Sequence, residues 1–143
     1  MGWPFSKKPS TETALVQIQN ADNEVDELKT GLKDKLKAPA EFARITATKI
    51  GVILSQLEKI DDYLKSLPDE EKEKIQASVL SVRKLCSSIA QNCTKMASAA
   101  KQRNAKEMAA LGALIGRDVM ALRRDYNTLK RLFSEHKEKF TSA

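Results

Sequence analysis

From Ile75 onward the chain places an apolar residue at every third or fourth position without a miss: Ile75, Val79, Val82, Cys86, Ile89, Cys93, Met96 and Ala100. Steps that alternate four and three draw a single stripe along an α-helix. Small residues flank that stripe (Ser78, Ser87, Ser88, Ala90, Ala97, Ser98 and Ala99) and allow a neighbouring helix to come close. The same spacing runs through Phe42, Thr46, Ile50, Ile53, Leu57, Ile60, Leu64 and Leu67. There Ile45, Val52 and Leu54 widen the stripe, as a helix with several neighbours requires. It returns in Met108, Leu111, Ile115, Val119, Leu122, Tyr126, Leu129, Phe133, His136 and Phe140. A weaker version links Ile18, Val25 and Leu32, with Leu15, Leu28 and Leu36 beside them.

The breaks fall between these stripes. Pro39 suits the first turn of a helix and not its interior, and Pro68 ends the second stripe just before the acidic run from Asp69. Asn104 followed by Glu107 is an N-cap signal. The pattern predicts helices over about 10–36, 39–66, 68–103 and 105–140, behind an N-terminal arm of residues 1–9. Gly31 and the charged stretch Lys33–Lys37 weaken the end of the first helix. Long helices with short connections favour an elongated, antiparallel up-down bundle of all-α class. Four helices are the first expectation, and three helices with the first detached are the second. Gly112 and Gly116 suggest a close crossing against the Ala/Ser face of the third helix.

Composition narrows the functional classes. Aromatic residues make up 5% of the chain against 41% hydrophobic and 31% charged, which argues against β-sandwiches and barrels and against disorder throughout. The first ten residues contain no apolar run that could act as a signal peptide. There is one His and no Gly-rich phosphate loop, metal-ligand cluster or nucleophile elbow, so neither an enzyme, a cofactor nor a small-molecule substrate is expected. Cys86 and Cys93 lie two helical turns apart, about 10.5 Å along the axis, beyond the reach of a disulfide. They read as small buried hydrophobes in a reducing, cytoplasmic setting. His136, at a seam position, reads as a structural residue.

The formal charge of +6 is uneven, because residues 83–143 carry thirteen basic and five acidic residues. Arg117, Arg124 and Arg131 recur every seven residues opposite the seam, and Arg123, Lys130 and Lys137 form a second row flanking it. Arginine forks match phosphate oxygens, so an anionic partner is expected: a phospholipid surface first, nucleic acid second. Asp118 and Asp125 lie across the seam from the flanking row, so some of these cations are expected to be used between helices. Arg83, Lys84, Lys95, Lys101, Arg103 and Lys106 extend the basic field. The stacking aromatics of single-strand binders are missing from this face.

The arm is the most specific functional signal. Met1-Gly2-Trp3-Pro4-Phe5-Ser6 fits the N-myristoylation pattern, with Gly2 as acceptor, although bulky Trp3 departs from it. Lys7 and Lys8 supply the basic second signal, and Trp3 with Phe5 suits a bilayer interface even without lipid. In plan, such an arm ahead of a helical bundle resembles the small myristoylated proteins that assemble on membranes, such as viral matrix proteins. Gly2, Ser6, Lys7 and Lys8 carry that resemblance. The expected protein is a non-enzymatic adaptor or scaffold, peripheral on the cytoplasmic face of a membrane, that binds protein partners or itself through its helices. A nucleic-acid-binding protein and a helical subunit of a tethering or chaperone-like complex are the alternatives.

Overall fold

The computed structural model describes residues 11–141, and the side chains of Thr11, Glu71 and 137–141 lie outside that description. Within it the chain forms α1 (Thr11–Gly31), a single 3-10 turn (Leu32–Asp34), α2 (Pro39–Leu64), α3 (Asp69–Lys101) and α4 (Ala105–Thr141). Each helix packs against its neighbour in sequence, and α1 closes the ring against α4. The result is an antiparallel four-helix bundle in which α2 and α4 stand diagonally opposed. With 37 residues, α4 is about 55 Å long at 1.5 Å per residue, so the bundle is elongated.

α1 stops five residues short of the predicted end. A Cβ at Gly31 would meet nothing within 4 Å, and the charged stretch that follows continues only as a tight turn. Pro39 opens α2 at its first turn. The α3–α4 turn is built without glycine. Arg103 takes the left-handed conformation at φ 54°, its N–H donates to the Ala100 carbonyl, and the Asn104 N–H donates to the Ala99 carbonyl. That is a Schellman ending, with a Cβ-bearing residue where glycine is usual. Asn104 then caps α4, accepting from the Glu107 N–H at 3.1 Å and donating to the Glu107 carboxylate at 3.2 Å.

The core follows the seams of α3 and α4 closely. From Ile75 to Met96 and from Leu111 to His136 every seam residue is buried. The departures lie elsewhere. Ile45 and Val52 do not widen the buried stripe of α2, since they stand 40% and 38% exposed on its outer side. Leu36 is also exposed. Tyr63, absent from the predicted seam, is buried at the end of α2 and shares a 3.0 Å hydrogen bond with His136 Nε2. Phe133 completes that aromatic group, 5.5 Å from Tyr63 and 5.9 Å from His136 between ring centres.

The glycine pair on α4 also behaves differently from expectation. A Cβ at Gly112 would stand 3.4 Å from Met96 Cε, 3.6 Å from Lys35 Cδ and 3.7 Å from Leu36 Cδ2, and one at Gly116 only 3.0 Å from Lys35 Nζ. The notch therefore receives the α1–α2 connection together with Met96 of α3.

Two consequences are measurable. Burial pushes the thiols of Cys86 and Cys93 up to about 12 and about 11, so both should resist alkylation at neutral pH until the protein unfolds. Arg103→Gly should stabilise the protein by about 1 kcal/mol, because glycine adopts φ > 0 without the Cβ clash. Urea denaturation of the variant beside the parent measures that gain.

Candidate functional site

Helix pairing has already claimed many of the cations. Buried on α1 with 7% exposure, Asp22 receives an ion pair from Arg123 Nη2 and a 2.9 Å hydrogen bond from Lys130 Nζ, both on α4. Arg123 also reaches Asp26 at 2.5 Å and Asn127 at 2.6 Å. Next to this cluster the Tyr126 hydroxyl donates to the Ile18 carbonyl at 2.6 Å. Lys49 on α2 pairs with Glu27 at 3.0 Å and Glu24 at 3.5 Å on α1. Arg83 on α3 pairs with Asp61 on α2, and Ser88 on α3 donates to Asp118 on α4 at 2.8 Å. Every neighbouring pair of helices thus carries a polar link.

The titration of these links follows their surroundings. Burial disfavours the charge of Asp22, but the hydrogen bonds and charges of Arg123 and Lys130 outweigh it and hold its pKa below the ordinary value. Burial likewise opposes the charge of Arg123, and Asp22 and Asp26 more than compensate. For Asp61 the balance is reversed, and desolvation raises its pKa in spite of Arg83.

The two rows of cations on α4 are therefore unlike. Arg123 has only 12% of its side chain exposed and, with Lys130, serves the α1–α4 join, so neither is offered outward as the flanking row was expected to be. Their carboxylate partner is Asp22 on α1, the use between helices that was expected for some of these cations, while Asp118 and Asp125 meet their sequence neighbours Arg117 and Arg124 at 3.5 and 3.7 Å. The side chain of Lys137 lies outside the described residues, as do Gly2, Trp3, Phe5, Lys7 and Lys8 of the arm.

Arg117, Arg124 and Arg131 form the outer row. The first two side chains are 72% and 78% exposed, and Arg131 is exposed as well. Successive members stand about 10.5 Å apart along the helix. From Arg117 to Ser134 the exposed positions of α4 are Arg117, Met120, Arg124, Asn127, Thr128, Arg131 and Ser134, with no carboxylate and no aromatic ring among them. Met120, 48% exposed, sits between Arg117 and Arg124. Sequence reasoning passed over it, although its place off the seam was the available signal.

Thr11, where the arm joins the bundle, lies at the end where α4 finishes, because Ile18 pairs with Tyr126 and Asp22 with Arg123 and Lys130 in antiparallel sense. Among the described residues no helix is long and apolar enough to cross a membrane, and no group of three or more His, Cys, Asp or Glu is placed to hold a metal ion. Comparison with protein-family models, curated protein sequences and solved structures gives no match. The class of this protein is set by its own fold and surface: a four-helix bundle with a cationic outer face on its last helix.

The Asp22 cluster yields a test. A carboxylate whose folded pKa is depressed stabilises the fold at neutral pH and loses that contribution as pH falls through the folded value, here below about pH 4. Asp22→Asn should lower stability at pH 7 by about 1–3 kcal/mol and reduce the loss on acidification. Denaturant titrations of both proteins between neutral pH and about pH 2 measure each effect.

Proposed function

We propose that this protein is a non-enzymatic scaffold that associates peripherally with anionic membranes, on the cytoplasmic face, and presents its remaining helix surfaces to protein partners. The observation that supports this reading is the outer face of α4, with three exposed arginines, an exposed methionine and no exposed carboxylate between Arg117 and Ser134. Guanidinium forks bind lipid phosphate in bidentate fashion, and each cation near an anionic leaflet contributes about 1 kcal/mol. An apolar side chain between arginines suits the headgroup boundary better than it suits a sugar-phosphate backbone. The lack of an exposed aromatic ring along the row removes the base-stacking platform that single-strand binders use. The arm adds a second point of attachment through Gly2 acylation or insertion of Trp3 and Phe5, with Lys7 and Lys8 as electrostatic support. Thr11 puts its origin at the end of the bundle where α4 finishes, so both elements can meet one surface.

Sedimentation with vesicles of phosphatidylserine and phosphatidylcholine, beside phosphatidylcholine alone, tests the reading at physiological salt. Replacing Arg117, Arg124 and Arg131 together by Gln should leave helicity unchanged and weaken binding roughly a hundredfold, three contributions of about 1 kcal/mol each. Lys7→Gln with Lys8→Gln should cost roughly thirtyfold by the same rule. Gly2→Ala should release protein made with a myristoyltransferase present if the acyl chain anchors it, and Trp3→Ser with Phe5→Ser should do so if the rings do. Equal recovery on neutral and acidic vesicles overturns the proposal. So does tighter binding to duplex DNA or RNA at matched salt.

A further inference from the structure

The outward face of α2 is uncharged in its middle and bounded by charges at its ends. Between Ile45 and Leu57 the only charged residue is Lys49, which turns toward Glu24 and Glu27 of α1. The exposed middle of the helix therefore consists of Ile45, Ala47, Thr48, Gly51, Val52 and Ser55, in a chain that is 31% charged. Two aliphatic side chains here face water, and both broke the expected burial pattern. Gly51 is a mid-helix glycine with nothing within 4 Å of its missing Cβ. It sacrifices about 1 kcal/mol of helix propensity relative to alanine, and no contact inside the molecule repays that loss.

The charges that bound this patch are self-complementary. On a helical wheel Arg44, Gly51, Glu58 and Asp62 line one side of the face, and Glu41, Ile45, Val52 and Lys59 line the other. Set a second copy of α2 antiparallel across a two-fold axis that passes between Gly51 and Val52. Each side then meets the same side of the copy running in the opposite direction. Arg44 and Glu58 lie about 11 and 10 Å from the axis at 1.5 Å per residue, so each Arg44 comes opposite Glu58 of the copy, with Asp62 one turn beyond. Lys59 falls beside Glu41, Gly51 meets Gly51, and Val52 meets Val52. All five bounding charges are exposed. Among the described residues Arg44 pairs with Glu41 on α2 and Asp62 with Lys65 just past its end.

We propose that the outer face of α2 is a homodimer interface whose occupant is a second copy of the same helix, antiparallel and centred between Gly51 and Val52. A single helix pair falls below the roughly 1,200–2,000 Å² buried by a stable standard interface. The expected state is therefore a reversible monomer–dimer equilibrium in the micromolar range. The proposal stands apart from the membrane reading, since dimerisation is read in free solution and vesicle binding is read separately.

Sedimentation equilibrium of the full chain across that range tests it. Gly51→Arg should abolish the dimer while preserving the fold, because the site is open. Arg44→Glu and Glu58→Arg should each weaken self-association at least about tenfold, as two attractive contacts turn repulsive. The decisive arm mixes those two single variants, whose heterodimer regains both attractive contacts and should form at the parent's concentration. A chain that stays monomeric throughout overturns the proposal. Single variants that dimerise like the parent, or a mixture that fails to recover, do so equally.

Discussion

A carboxylate on the first helix ties α1 to α4 and so helps close the ring of four. α1 is the shortest helix and brings a modest apolar stripe to the core: Ala14, Ile18, Ala21, Val25 and Leu28. Two alanines among five core positions leave little to fix its height along α4. Asp22 supplies the register, because it lies between Arg123 and Lys130 and pairs with both. Buried ion pairs add little net stability beside an apolar replacement, yet losing one partner strands a charge in low dielectric. Tyr126, bonded to the Ile18 carbonyl one turn away, fixes the same height independently.

Closing the ring sorts the charged residues by role. Arg123 and Lys130 face α1 and serve the fold. Arg117, Arg124 and Arg131, about 100° further round the same helix, pair with no other helix among the described residues and remain at the surface. Residue type and seven-residue spacing are identical in the two arginine positions 117 and 124 and differ by one step from 123, so a rotation of about 100° decides between structural and available cation.

The diagonal placement of α2 and α4 gives the molecule two outer faces of opposite character. One is cationic from Arg117 to Arg131, and the other is uncharged in its middle with mixed charge at its ends. Because they stand on opposite sides of the bundle, a contact through α2 leaves the α4 row uncovered. Two copies joined by α2 would carry their arginine rows on outward-facing, opposite sides. The surface chemistry of the assembly thus follows from the order in which the helices pack around the ring.

Local pattern alone determined much of this architecture. The step of three and four from Ile75 to Met96 placed the α3 core, Pro39 and Pro68 placed two helix starts, and Asn104 with Glu107 placed the third turn. Each of these rests on interactions within about four residues, which a linear sequence displays directly. Only the tertiary structure decided the rest. Ile45 and Val52 read as core because periodicity measures the width of an apolar stripe and not the number of helices that arrive to cover it. The partner of Arg123 lies 101 residues away and that of Lys130 lies 108 away, while Tyr63 and His136 are 73 apart. No local signal links such residues. Their pairing depends on which helices become neighbours and at what height, and that is settled when the four apolar seams are buried against one another.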